Sequence, residues 1–192
     1  ANDNKQLPIR IDCDSGKVID PGFMVNDLGN FAQYTYLTGK LTSHEKYINF
    51  ALESAFYAAS KYQSKSGLFK NIYADHYNLD WYSNEDTFYG FSSLFYLSEN
   101  GLILDILNRY KKGIETNMHS SGLLYGATKG LKKYVSRTPV TFVEGLIHIY
   151  KKNNDVEYLN LAKKLVEPWI RSNFFYRFGL FPDNFCGIEF LN

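Results

Sequence analysis

The chain has 192 residues, 45% of them hydrophobic and 17% aromatic, enough to build one substantial core. Its 21 basic and 20 acidic residues leave a formal charge of +1, which provides neither the basic excess expected of a nucleic-acid partner nor a charged tail. No apolar run approaches the roughly 20 residues of a membrane-spanning helix, and the two cysteines, Cys13 and Cys186, have no zinc-ligand spacing.

Residues 5–21 read as a loop or short hairpin. Pro8, Asp14-Ser15-Gly16 and Asp20-Pro21-Gly22 are turn chemistry, and Ile9, Ile11 and Cys13 alternate with Arg10 and Asp12 as in a strand. A first helix pair is predicted over about 24–65. Its first helix begins near Asn26 or Asp27 and stops at Gly39. Thr42-Ser43-His44-Glu45 reads as a capping box for its second helix.

A second pair is predicted over about 84–118, after a loop from Gly67 to Tyr82 that carries Asp75, His76 and Trp81. Ser83-Asn84-Glu85-Asp86 has the hydroxyl-x-x-acid form of a helix start, and Asn100-Gly101 divides the pair. A third pair is predicted over about 136–173, with Pro139 in its first turn and Asn153-Asn154-Asp155 at its bend. Gly179-Leu180-Phe181-Pro182 opens a further loop.

A short phrase marks the start of each long loop: Ser66-Gly67-Leu68-Phe69, Ser121-Gly122-Leu123-Leu124 and Phe178-Gly179-Leu180-Phe181. Their glycines are 55 and 57 residues apart. Such a period implies stacked supersecondary units. The fold class expected is all-α: antiparallel helix hairpins, with hairpin-like loops gathered at one end, where function usually sits. The chain's 16 Tyr, 15 Phe and 2 Trp suit either a bulky core or a carbohydrate site, since sugar rings stack their apolar faces on aromatic planes.

Several segments resemble glycoside hydrolase family 47, the class I α-1,2-mannosidases. They are Asp27-Leu28-Gly29-Asn30-Phe31 through Leu41-Thr42-Ser43-His44-Glu45-Lys46-Tyr47, Glu85-Asp86-Thr87-Phe88-Tyr89-Gly90-Phe91, Thr141-Phe142-Val143-Glu144-Gly145-Leu146, and Gly179-Leu180-Phe181-Pro182-Asp183. They follow the family's order over most of residues 5–190. The resemblance implies an (α/α) barrel, or toroid, with the helices after each long loop on the inside. It also implies a glycosidase acting on α-linked mannose or a related glycan, and a secretory or extracellular location. No cofactor is expected within the chain itself; the family's calcium would belong to a longer protein.

Other features depart from that pattern. Asp27 stands where the family has Glu, Pro182-Asp183 replaces Pro-Glu, the family's histidine before the Thr141-Phe142 segment has no counterpart around Arg137 to Val140, and the family's later motifs are absent. Three helix pairs are also too few to close a ring. The expectation is a single partial barrel domain, a middle portion completed by the rest of a longer chain or by a partner.

Glycosidic cleavage commonly uses two carboxylates flanking the bond. Asp27 and Asp86 match the family's carboxylate positions and are the catalytic candidates, set against simple helix-dipole stabilisation in a first turn. Glu85, Trp81, Tyr82, Arg137 and Asp183 are the substrate-binding candidates, with Glu85 an alternative to Asp86 by a one-residue shift of register. No metal ligands are assigned. Cys13 and Cys186 are expected as free thiols, with a disulfide between them the alternative if the first and last loops meet. The rival functions are a catalytically silent glycan-binding relative and a helical scaffold that binds a protein partner on its loop face.

Overall fold

Three helix pairs follow one another, each closed by the same two-residue turn. A computed structural model describes residues 10–20, 25–69, 81–118, 120–128, 131–135, 137–179 and 184–185. The pairs are α1 (Val25–Thr42) with α2 (Glu45–Tyr62), α3 (Trp81–Ser98) with α4 (Gly101–Thr116), and α5 (Arg137–Asn153) with α6 (Val156–Ile170). At each bend one residue takes the left-handed conformation: Ser43 at φ 56°, Glu99 at φ 52° and Asn154 at φ 56°. The next residue is extended and precedes the second helix. Asn100 Oδ1 accepts from the Leu102 and Ile103 amides, and Asp155 Oδ1 accepts from the Glu157 amide. These bonds satisfy amides that a helix start leaves open.

Four local expectations are corrected. The first helix does not stop at Gly39 but runs to Thr42. A Cβ added at Gly39 would lie 2.7 Å from Ile48 Cγ1, so this glycine allows α1 and α2 to close on each other. No capping box forms at α2, because Thr42 belongs to α1 and bonds the Thr38 carbonyl, while His44 is the N-cap without a side-chain bond. Helix α3 begins at Trp81, so Trp81 and Tyr82 lie in its first turn and Ser83-Asn84-Glu85-Asp86 lies inside it. Helix α6 ends at Ile170, and Ser172 then caps a separate helix, α7 (Asn173–Phe178), by accepting from the Phe175 amide.

Helices α1, α3 and α5 pack side by side, each backed by its pair partner. Helices α3 and α5 run in the same direction. Glu85 meets Thr141 near their starts, Ser93 meets His148 midway, and Glu99 meets Lys152 near their ends. Small residues make the close packing feasible. A Cβ added at Gly90 would lie 2.1 Å from the Gly29 carbonyl carbon, and one at Gly145 would lie 2.8 Å from both Phe88 Cε1 and Ser92 Oγ.

In its first two occurrences the glycine-leucine phrase is a core plug. Gly67 (φ 92°) and Gly122 (φ 89°) turn the chain in a conformation other residues rarely adopt. Isolated bridges Gln63–Phe69 and Met118–Leu124 close the two turns in the same register. A Cβ added at Gly67 would sit 1.7 Å from the Arg109 carbonyl oxygen of α4, and one at Gly122 would sit 2.4 Å from the Lys164 carbonyl oxygen of α6. The turn therefore rests on the next outer helix. Leu68 and Phe69 follow into the core, as do Leu123 and Leu124. Phe69 packs between Phe91 and Tyr110, with ring centroids 5.5 and 5.4 Å away. Truncating such a buried ring costs about 3–5 kcal/mol.

Strands β1 (Arg10–Ile11) and β2 (Val18–Asp20) form an antiparallel pair ahead of α1. Strands β3 (Tyr125–Thr128) and β4 (Leu131–Val135) form another ahead of α5. Strand β5 (Asn184–Phe185), which follows α7, pairs with β4 through Tyr134–Phe185 and Val135–Asn184. The last two connections thus meet at one end of the inner helices. No described helix is long and apolar enough to cross a membrane.

Candidate functional site

Gly29, Glu85 and Thr141 occupy equivalent positions in the three units, 56 residues apart. Each is the fifth residue of its inner helix, so all three stand at the end where the long connections enter. At this level the Gly29 position packs against the Thr87 carbonyl. Asp27, two residues earlier, is therefore placed by its backbone alongside the first turns of α3. Glu85 is only 5% exposed. The Thr141 hydroxyl donates to Glu85 Oε1 at 2.5 Å, from one inner helix to the next. Asp86, its neighbour in sequence, is half-buried.

The backbone brings six of the seven candidate residues to this end. Trp81 and Tyr82 open α3, Glu85 and Asp86 follow one turn on, Asp27 lies in the first turn of α1, and Arg137 opens α5. Asp183 lies outside the described residues, as do His76 and Cys186. Cys13, in the turn between β1 and β2, is exposed and free.

Thr141 was missed as a candidate because a lone threonine carries no chemical signature. The signal was available in the period, since a 56-residue shift from Glu85 lands on Thr141. Also missed was a cluster on the following turns. His148 of α5 lies between the rings of Tyr89 and Tyr96 of α3, at 5.7 and 5.5 Å, with Nδ1 3.4 Å from Ser93 Oγ. Burial holds the His148 imidazole below the usual value of 6.5; the Glu144 charge opposes this and Lys151 adds to it.

A groove of about 550 Å³ opens elsewhere, on the outer helices α4 and α6. It is lined by Lys111, Glu157 and Lys164 among others, and a Lys111–Glu157 ion pair spans it. It contains none of the candidate residues. Among the described residues, no three His, Cys, Asp or Glu side chains gather as a metal site requires.

This architecture, with parallel inner helices and an outer helix behind each, belongs to the (α/α)-toroid class. No protein-family profile and no curated protein matches the chain. Solved structures do. A D-mannose isomerase superposes with a TM-score of 0.62 at 16% identity, over 80% of this chain and 42% of its own. A polysaccharide lyase gives 0.65 at 13% identity, over 76% and 47%. An α-1,6-mannanase of glycoside hydrolase family 76 from Salegentibacter gives 0.55 at 16% identity, over 75% and 46%. That structure is an inactive variant with two neighbouring aspartates changed to asparagine, in complex with α-1,6-mannotriose. The chain spans less than half the length of each of these proteins. At such identities the likeness establishes the fold. Family 47 itself is not among these matches.

Proposed function

We propose that this chain forms part of a glycan-acting (α/α) toroid that hydrolyses an α-linked mannose polymer or a related glycan. The observation that carries the reading is the Glu85–Asp86 carboxylate pair at the loop end of the central inner helix. Glu85 is buried and accepts from Thr141, and Asp86, next to it in sequence, is half-buried. The mannanase superposed on this fold is inactivated through two adjacent carboxylates, and the isomerase also takes mannose by its name.

In this reading Asp86 donates a proton to the departing glycosidic oxygen. Glu85, whose Oε1 accepts from Thr141, serves as the ionised base that takes a proton from the water attacking the anomeric carbon as the glycosidic C–O bond breaks. Asp27, Trp81, Tyr82 and Arg137, whose backbones stand at the same end of the inner helices, are the candidates for binding sugar hydroxyls and stacking on the ring. Asp27 remains an alternative second carboxylate, since its backbone lies abreast of the same turn.

The test is hydrolysis of α-1,6-mannotriose by the full chain and by Glu85→Gln and Asp86→Asn. Each substitution is expected to lower kcat by about 100- to 10,000-fold while leaving the fold intact. Undiminished activity in either variant contradicts the assignment. Mannotriose binding without turnover in the parent chain would instead support the glycan-binding alternative.

A further inference from the structure

We propose that Thr141 is a positioning residue that sets the geometry and charge state of Glu85. The proposal rests on the acid-pair reading above and adds the third helix pair to the site. A glutamate side chain has three rotatable bonds, and fixing it costs rotamer entropy. Threonine is branched at Cβ and stiff at its first torsion, which makes it a well-defined anchor.

The packing supplies the rest. Thr141 and Gly145 are four residues apart and so share one face of α5. Gly145 seats that face against Phe88 and Ser92 of α3 with no room for a Cβ. Phe142, the next residue after Thr141, is buried against Phe88 with ring centroids 5.3 Å apart. The Thr141 hydroxyl therefore reaches Glu85 Oε1 from a backbone fixed on both sides, at 2.5 Å. A hydroxyl donating to a carboxylate favours its ionised form. Loosening α5 from α3 would remove this donor from Glu85, so the third unit contributes to an acid carried by the second.

Thr141→Val removes the donor at nearly constant volume, and Thr141→Ser keeps it. Thr141→Ala replaces the valine variant if that one does not fold. The first readout is the titration of the Glu85 carboxyl followed by 13C NMR, with Glu85→Gln used to assign the signal. In Thr141→Val the midpoint is expected to move up by about one pH unit, and in Thr141→Ser to stay near the parent. The second readout is mannotriose hydrolysis. Thr141→Val is expected to lose about 10- to 100-fold in kcat with little change in KM, and Thr141→Ser to recover most of it.

An unchanged Glu85 titration in Thr141→Val overturns the proposal, as does a serine variant no better than the valine one. If the parent chain hydrolyses nothing, the proposed function fails, while the titration still decides the role of Thr141.

Discussion

A carboxylate five residues into a helix, as Glu85 is, lies past the first turn where the helix dipole rewards negative charge. Its burial therefore needs another compensation, and the Thr141 hydroxyl provides one. The acid was legible in the sequence; its partner was not, because the bond joins residues 56 apart on two helices. His148 shows the same limit. Nothing in its neighbourhood along the chain announces Tyr89, Ser93 and Tyr96. Because burial lowers its proton affinity, the folded state holds fewer protons there than the unfolded chain just below pH 6.5. Stability from the neutral imidazole is thus present above that pH and falls as pH drops through the folded-state value. Replacement by phenylalanine keeps a ring between the tyrosines and removes the titration. His148→Phe is therefore expected to narrow the drop in Tm between about pH 8 and pH 5, measured by thermal unfolding. An equal drop in both proteins contradicts this.

At the scale of elements, the glycines are the clearest test. Gly67 combines a φ of 92° with a backbone carbonyl 1.7 Å from where a Cβ would sit. Gly179 shares a positive φ, 64°, at the C-cap of α7, but among the described residues nothing lies within 4 Å of its Cβ position. Gly67→Ala must therefore displace α4 or the turn, and is expected to cost several kcal/mol, whereas Gly179→Ala carries only the backbone cost of about 1 kcal/mol. Chemical denaturation of the two variants decides it, and similar losses would contradict the plug. The repeated phrase made the helix pairs readable, since its glycines and the three bends keep nearly one period. Helix ends were read less well. Gly39 resembled a stop but is a contact with Ile48, and Ser83-Asn84-Glu85-Asp86 resembled a start but lies within α3. Both misreadings arise because tertiary packing, not local capping, determined what those residues do.

At the scale of the molecule, the row of inner helices gathers residues from three units at one end. The pairing of β5 with β4 ties the last connection to the one before α5. This convergence was implied by the repeat before any contact was known, because equal spacing along parallel helices becomes equal height in space. The outer groove between α4 and α6 is the competing location for a ligand, with exposed charges but none of the candidate residues. A crystal structure of the full chain soaked with α-1,6-mannotriose distinguishes the two most directly. The sugar is expected at the loop end of α1, α3 and α5, with a glycosidic or ring oxygen within about 3.2 Å of an Asp86 or Glu85 carboxylate oxygen. A sugar seated instead at Lys111 and Glu157, or no bound sugar at saturating concentration, would contradict the account.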